Sequence, residues 1–234
     1  MRLIGLLGGL GWESTALYYR LLNEFTQREL GGHHAARILL HSVNNGAIME
    51  SCSRGDDNHV AAILSEAGRS LKAGGADFIV MANNTMHQFA GQIERASGLE
   101  LLHISDPTSL EIQKAGHETV ALLGTRATME GDFYSERILQ NSGAEVITPD
   151  PKERTEVNRI IFDELARGVV STGSRDYLGD LIHKLHDRGA GAVVLGCSEL
   201  KAIVTPDRDA MRIYDTTRLH AKAAVKRALE VTYA

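Results

Sequence analysis

The sequence predicts an α/β protein built from parallel strands alternating with helices, and three observations carry that prediction. Short apolar runs ending in glycine or small polar residues alternate with longer stretches whose apolar residues recur every three or four positions, the pattern of repeated βα units. Runs such as Phe78-Ile79-Val80-Met81 are apolar throughout, as strands covered by helices on both faces must be. Finally, the chain repeats itself. Gly75-Ala76-Asp77-Phe78-Ile79-Val80-Met81-Ala82-Asn83-Asn84 matches Gly189-Ala190-Gly191-Ala192-Val193-Val194-Leu195-Gly196-Cys197-Ser198 at an offset of 114, and Ile4-Gly5-Leu6-Leu7-Gly8 matches Val120-Ala121-Leu122-Leu123-Gly124 at 116. Both offsets are close to half of the 234 residues, so the chain reads as two equivalent halves.

In chain order, strands are expected at Leu3 to Leu7, Arg37 to His41, Phe78 to Ala82, Leu101 to Ile104, Thr119 to Leu123, Glu145 to Thr148, Ala192 to Leu195 and Arg212 to Tyr214. Helices fill the intervals: Trp12 to Arg28, Val60 to Ala73, Thr85 to Ala96, Pro107 to Ala115, Phe133 to Asn141, Glu153 to Arg167, Arg175 to Asp187 and Thr216 to Val231. The two α/β units expected from this alternation are residues 1–98 plus 211–234, and residues 99–210.

Composition narrows the function classes. Hydrophobic residues make up 43% of the chain and prolines number 4, enough to bury a core and too regular for disorder. Lys plus Arg is 25 against 30 for Asp plus Glu, a net charge of −5, which has the wrong sign for a protein that must neutralise nucleic-acid phosphates. No apolar run approaches the roughly 20 residues that span a bilayer, so no membrane partner is expected. Cys52 and Cys197 are too few for a disulfide framework, and Met1-Arg2 runs straight into a strand-like segment instead of a secretory leader. A cytoplasmic protein with free thiols and a small-molecule partner is expected.

The strand-end loops hold the candidate chemistry, because in parallel sheets ligands bind outside the carboxyl ends of the strands. If the two halves face each other, their equivalent loops line one cleft and Asn83 opposes Cys197. Gly8-Gly9-Leu10-Gly11 leads into a helix and offers backbone N–H groups suited to an anion, although the dinucleotide fingerprint and the phosphate-loop lysine are both missing. The plain alternative is a tight turn. Asn83-Asn84-Thr85 presents amides and a hydroxyl; helix capping by Asn84 or Thr85, with His87 a satisfied, partly buried side chain, is the competing reading. Gly124-Thr125 is the second half's equivalent of the glycine loop and suits a carboxylate. In Gly196-Cys197-Ser198-Glu199 a cysteine at a strand-to-helix loop should have its thiolate favoured, while Ser198 adds a donor and Glu199 can orient a partner; a small buried hydrophobe is the alternative. Arg54 is a candidate anion clamp, and Cys52 beside it lacks a catalytic setting. His33-His34 and the pair His183 and His186 lack partners at ligand spacing, so no metal site is expected.

Taken together, Ile4-Gly5-Leu6-Leu7-Gly8-Gly9 with Trp12-Glu13-Ser14-Thr15, Leu39-Leu40-His41-Ser42-Val43, Asn84-Thr85-Met86-His87, Ala121-Leu122-Leu123-Gly124-Thr125-Arg126 and Gly196-Cys197-Ser198-Glu199 resemble the aspartate/glutamate racemase family. The resemblance covers almost the whole chain. It implies two pseudo-symmetric parallel-sheet, flavodoxin-like α/β domains with the active site between them, a homodimer, no cofactor, and two opposed cysteines serving as acid and base on the Cα of aspartate or glutamate. It also implies substrate binding by Gly8, Gly9, Asn84, Thr85, Thr125 and Ser198, with Arg54 less regularly placed. The sequence departs from the pattern at Asn83, which stands where the family carries its first cysteine, whereas Cys197 is present. An amide neither takes nor gives a proton at neutral pH, so the expected activity is kinetically enantiomer-selective, with Cys197 the single thiol acid/base and Asn83 able only to hold a water. Alternatives are a catalytically impaired dicarboxylate-binding homologue, or a cysteine-dependent isomerase or decarboxylase like the wider superfamily's maleate isomerases and arylmalonate decarboxylases.

Overall fold

In the first half of the chain, β1 (Ile4–Gly8) lies between β2 (Ile38–Ser42) and β3 (Phe78–Met81), and β4 (Leu101–Leu102) pairs with β3 on its outer side. All pairs are parallel, giving the order β2-β1-β3-β4. These elements belong to a computed structural model that describes residues 1–204 and 211–230. Parallel neighbours require crossovers, which are supplied by α1 (Trp12–Leu30), α2 (Asn45–Ser53) with α3 (Asp57–Ala73), and α4 (Ala90–Ser97). Because side chains alternate across a strand, Ile4, Leu6, Phe78 and Val80 pack with Tyr18, Leu22 and Phe25 of α1, and with Ala221, Ala224 and Val225. Leu7, Ile79 and Met81 face the other way, against Val60, Leu64 and Leu71 of α3 and Ile93 of α4. The continuous apolar strands of the sequence are thus covered on both faces.

The second sheet repeats the plan. β5 (Thr119–Gly124), β6 (Glu145–Ile147), β7 (Ala192–Gly196) and β8 (Arg212–Asp215) are parallel in the order β6-β5-β7-β8, the same order as the first sheet. Its crossovers include α6 (Arg126–Glu130), α7 (Asp132–Ser142), α8 (Pro151–Arg159) and α9 (Thr172–Asp187); α5 (Ser105–Ala115) precedes β5 and α10 (Thr216–Leu229) follows β8. Ala121, Leu123, Val193 and Leu195 pack on Val157, Ile161, Leu178, Leu181 and Leu185.

The chain divides into two units, Met1–Ile104 with His220–Ala234 and Ser105–Leu219. These limits differ from the 1–98 plus 211–234 and 99–210 read from the sequence. β4 belongs with the first sheet because Val80 pairs with Leu102, and β8 belongs with the second because Val194 pairs with Tyr214. The expected limit at residues 210 and 211 falls where residues 205–210 lie outside the described chain, as does the expected helix end at Val231. All eight expected strands are present among the described residues. Two helices differ from expectation. The segment after β3 opens as a 3-10 turn, Thr85–Phe89, before α4, and the helix from Pro151 passes through a π turn at Ile160–Glu164 and a 3-10 turn at Leu165–Arg167. The short α2 and α6 are both unforeseen, and the start of α2 is fixed by the Asn44 side chain, which accepts from Gly46 N–H at 3.0 Å.

Candidate functional site

In each sheet the strand order reverses direction between its two central strands, and ligands of such sheets bind outside the carboxyl ends at that switch point. In the first unit that point lies at the ends of β1 and β3, where Leu7 pairs with Met81. It therefore brings together Gly8 and Gly9 with Asn83, Asn84 and Thr85, as the sequence led one to expect. The glycines are needed for close approach. A Cβ on Gly9 would lie 2.1 Å from the Val43 carbonyl oxygen, and its φ of +83° is strained for any other residue. A Cβ on Gly8 would lie 2.4 Å from Thr15 Cγ2. The Gly9 N–H donates to Thr15 Oγ1 at 2.9 Å, and Val43 N–H donates to the Gly8 carbonyl at 3.0 Å. The Gly9 donor expected to face an anion is thus engaged inside the loop: the tight-turn reading holds for it.

Asn83 ties the two loops together. Its Nδ2 donates to the Leu10 carbonyl at 2.9 Å, and its Oδ1 accepts from Met86 N–H at 2.9 Å, capping the 3-10 turn. Its backbone carbonyl accepts from His87 Nδ1 at 2.6 Å. One N–H and one lone pair of the amide remain for another partner. Asn84 is buried at the start of the turn, and Thr85 opens it half-buried.

In the second unit the switch point lies between β5 and β7, where Gly124 pairs with Gly196 and sets Thr125 beside Cys197 and Ser198 in the register of the sheet. Thr125 caps α6: its Oγ1 accepts from Thr128 N–H at 3.3 Å and lies 3.0 Å from Thr128 Oγ1. Cys197 is 7% exposed in extended backbone just before a 3-10 turn, Ser198–Ala202. Its thiol donates to Glu199 Oε2 at 2.9 Å, and Ser198 Oγ donates to the same oxygen at 2.8 Å. Backbone N–H groups of Glu199 and Leu200 act on the sulfur in the sense that favours the thiolate. These are the loop donors foreseen from sequence, but they are outweighed. Burial first, and then the Glu199 carboxylate, push the thiol well above its ordinary value, so the expectation of a favoured thiolate is corrected to a neutral thiol hydrogen-bonded to a carboxylate.

Arg54 is not gathered into either cluster. It is the exposed C-cap of α2, with its guanidinium 2.6 Å from Glu50 one helical turn back. Cys52, also exposed, sits on the same helix. Sequence reasoning undervalued Glu199 and His87. Glu199's proximity to the thiol depends on how its side chain turns over the loop, and His87's depends on burial; neither has a spacing signature. Among the described residues no group of three or more His, Cys, Asp or Glu side chains is arranged to hold a metal ion, and no helix is long and apolar enough to cross a membrane.

Two parallel sheets of one order, each with small polar side chains at its switch point and one with a thiol set against a carboxylate, define a two-unit α/β protein equipped for acid–base chemistry. The chain belongs to the Asp/Glu/hydantoin racemase family, whose sequence model matches residues 7–224. It is 24% identical over 229 residues to the broad specificity amino-acid racemase RacX of Bacillus subtilis (strain 168), covering 95% of this chain and 96% of that one. Its fold is similar to the crystal structure of an Asp/Glu racemase candidate from Yersinia pestis, with a TM-score of 0.93, 44% identity and coverage of 98% and 100% of the two chains. An aspartate racemase homologue from Pyrococcus horikoshii OT3 gives a TM-score of 0.85 at 30% identity, with the same coverage.

Proposed function

We propose that this protein is an amino-acid racemase acting on aspartate or glutamate without a cofactor, with Cys197 as the thiol that removes and returns the Cα proton. The observation that carries this reading is the Cys197–Glu199 pair at the end of β7, with its 2.9 Å contact. Glu199 takes the thiol proton. The thiolate, stabilised by the N–H groups of Glu199 and Leu200, takes the Cα proton and becomes a thiol again, leaving a carbanion on Cα. A thiol with a raised pKa gives a strongly basic thiolate, which suits a weakly acidic C–H.

The opposite face of Cα is protonated by water, since an asparagine amide such as Asn83 is no acid, and the hydroxide left behind is neutralised by the proton on Glu199. Such an enzyme is faster with the enantiomer whose Cα–H faces Cys197. The preference is kinetic only, since no catalyst shifts the equilibrium between mirror images. Asn84, Thr85, Thr125 and Ser198 are proposed to hold the substrate carboxylates, with Ser198 exchanging its present partner, Glu199, for the ligand. Support comes from membership of the family and from the likeness to RacX and to the aspartate racemase homologue. A cytoplasmic homodimer is part of the same proposal. Aspartate and glutamate differ by one methylene, worth about 1–3 kcal/mol of discrimination in a pocket.

The second reading, a protein that binds a dicarboxylate without turning it over, is favoured by the neutral thiol and the missing second cysteine. Incubation with each enantiomer of aspartate and glutamate, followed by chiral chromatography, separates the two. Inversion supports the racemase; calorimetric binding with neither inversion nor Cα–H exchange supports the second reading.

A further inference from the structure

The 3-10 turn after β3 places His87 in a buried cluster of three imidazoles that the proposed reaction does not use. His87 is 2% exposed, His103, just after β4, is 4% exposed, and His220, on α10, is fully buried. The ring of His87 meets those of His103 and His220 edge-on, at centroid distances of 4.6 and 5.6 Å. His220 is fixed from both ends. Its Nε2 lies 2.8 Å from the Leu102 carbonyl and must donate, so its Nδ1 accepts from the Tyr18 hydroxyl at 2.7 Å.

The same logic fixes His87. Its Nδ1 lies 2.6 Å from the Asn83 carbonyl oxygen, which can only accept, so the proton is on Nδ1 and Nε2 is a bare lone pair. That Nε2 is buried with no hydrogen-bond partner. An unpaired buried polar atom is unfavourable and calls for an explanation. A histidine kept only for packing would be replaced by an apolar ring without that cost.

Resting on the racemase reading above, we propose that His87 is a positioning residue for the reaction. Through Nδ1–H it holds the Asn83 carbonyl, and so fixes the loop whose next residues, Asn84 and Thr85, are proposed to hold a substrate carboxylate. The backbone of His87 closes the same turn, with its N–H on the Asn84 carbonyl at 3.1 Å. Burial first, and then the neighbouring His103 and His220, hold His87 well below the usual histidine value and keep the ring neutral. A neutral ring with its one proton on Nδ1 is the form that makes this bond.

The test compares His87→Asn with His87→Leu. The Asn Nδ2 occupies the place of the His Nδ1 and keeps the donor; Leu keeps the bulk and loses it. Cα deuterium exchange of aspartate and glutamate gives kcat and KM, and solution NMR gives the histidine tautomer and the Asn83 carbonyl ¹³C shift. His87→Asn should stay within about threefold of wild type, and His87→Leu should lose about 10- to 100-fold in kcat/KM, as small misplacements of reacting groups do. In wild type, ¹⁵N shifts should report the Nδ1–H tautomer from pH 6 to 9. Equal activity of His87→Leu and wild type, equal loss in both variants, or an Nε2–H tautomer would each overturn the proposal. Should wild type show no exchange, the racemase reading fails by itself; the positioning role then stands or falls on the Asn83 carbonyl shift, which must move in His87→Leu and return in His87→Asn. If His87→Leu does not fold, the tautomer and the activity of His87→Asn decide.

Discussion

Replacing Glu199 by Gln sets two effects of one carboxylate against each other. As a charge, Glu199 opposes thiolate formation; as an acceptor 2.9 Å from the sulfur, it is the proposed first destination of the thiol proton. Unit charges about 4 Å apart at an effective dielectric near 20 repel by about 4 kcal/mol. At about 1.4 kcal/mol per decade, removing that repulsion would raise the thiolate population by up to roughly a thousandfold. The thiolate absorbance of the Gln variant, followed near 240 nm against pH, should therefore rise at lower pH than in wild type. Its Cα–H exchange should nevertheless fall, by about 10²- to 10⁴-fold, the usual contribution of a positioned proton acceptor. A Glu199→Gln variant that titrates lower and exchanges as fast as wild type, or faster, would refute the role given to Glu199.

Three further outcomes follow from the same geometry. Burial and Glu199 keep Cys197 a thiol whose proton moves only within the pair, so kcat/KM should be flat through the neutral range instead of climbing with thiol ionisation, and iodoacetamide should label exposed Cys52 well before Cys197, as peptide mass mapping will show. Asn83→Cys supplies the missing acid–base group and should accelerate the slower enantiomer; because it gives up the bonds to Leu10 and Met86, it should also lose about 1–3 kcal/mol in urea denaturation. His87 is depressed in the folded state, so the unfolded chain binds the extra proton first. Stability is therefore fully present above about pH 6.5 and is lost as pH falls through the folded value, by up to about 1.4 kcal/mol per pH unit; His87→Asn should flatten that acid limb of the melting curve.

The architecture was legible because it is written in local patterns. The 114-residue repeat and the apolar strands Phe78–Met81 and Ala192–Gly196 correspond to two sheets of identical order. The loops holding Asn83, Thr125 and Cys197 could be placed at strand ends from the same patterns. What could not be read was how their polar atoms are spent. Asn83 reads as an amide facing a ligand, yet its bonds run to Leu10, 73 positions away, and to Met86. The backbone donors around Cys197 follow from a strand-to-helix loop, but the balance at sulfur is decided by burial under the second core and by the direction of Glu199, both products of tertiary packing. Arg54 was singled out on residue type; its partner proved to be Glu50, four positions earlier on the same helix. The unit limits differ because β4 and β8 were legible as strands while the sheet each joins, β4 beside β3 and β8 beside β7, shows only in their pairing.

Deuterium incorporation at Cα tests the central claim most directly. With wild-type protein in deuterated water, NMR should show Cα deuteration of aspartate or glutamate, faster from one enantiomer than from its mirror image, and Cys197→Ser should show none above the buffer rate while still binding the substrate. Exchange by Cys197→Ser at the wild-type rate would contradict the assignment of Cys197 as the base.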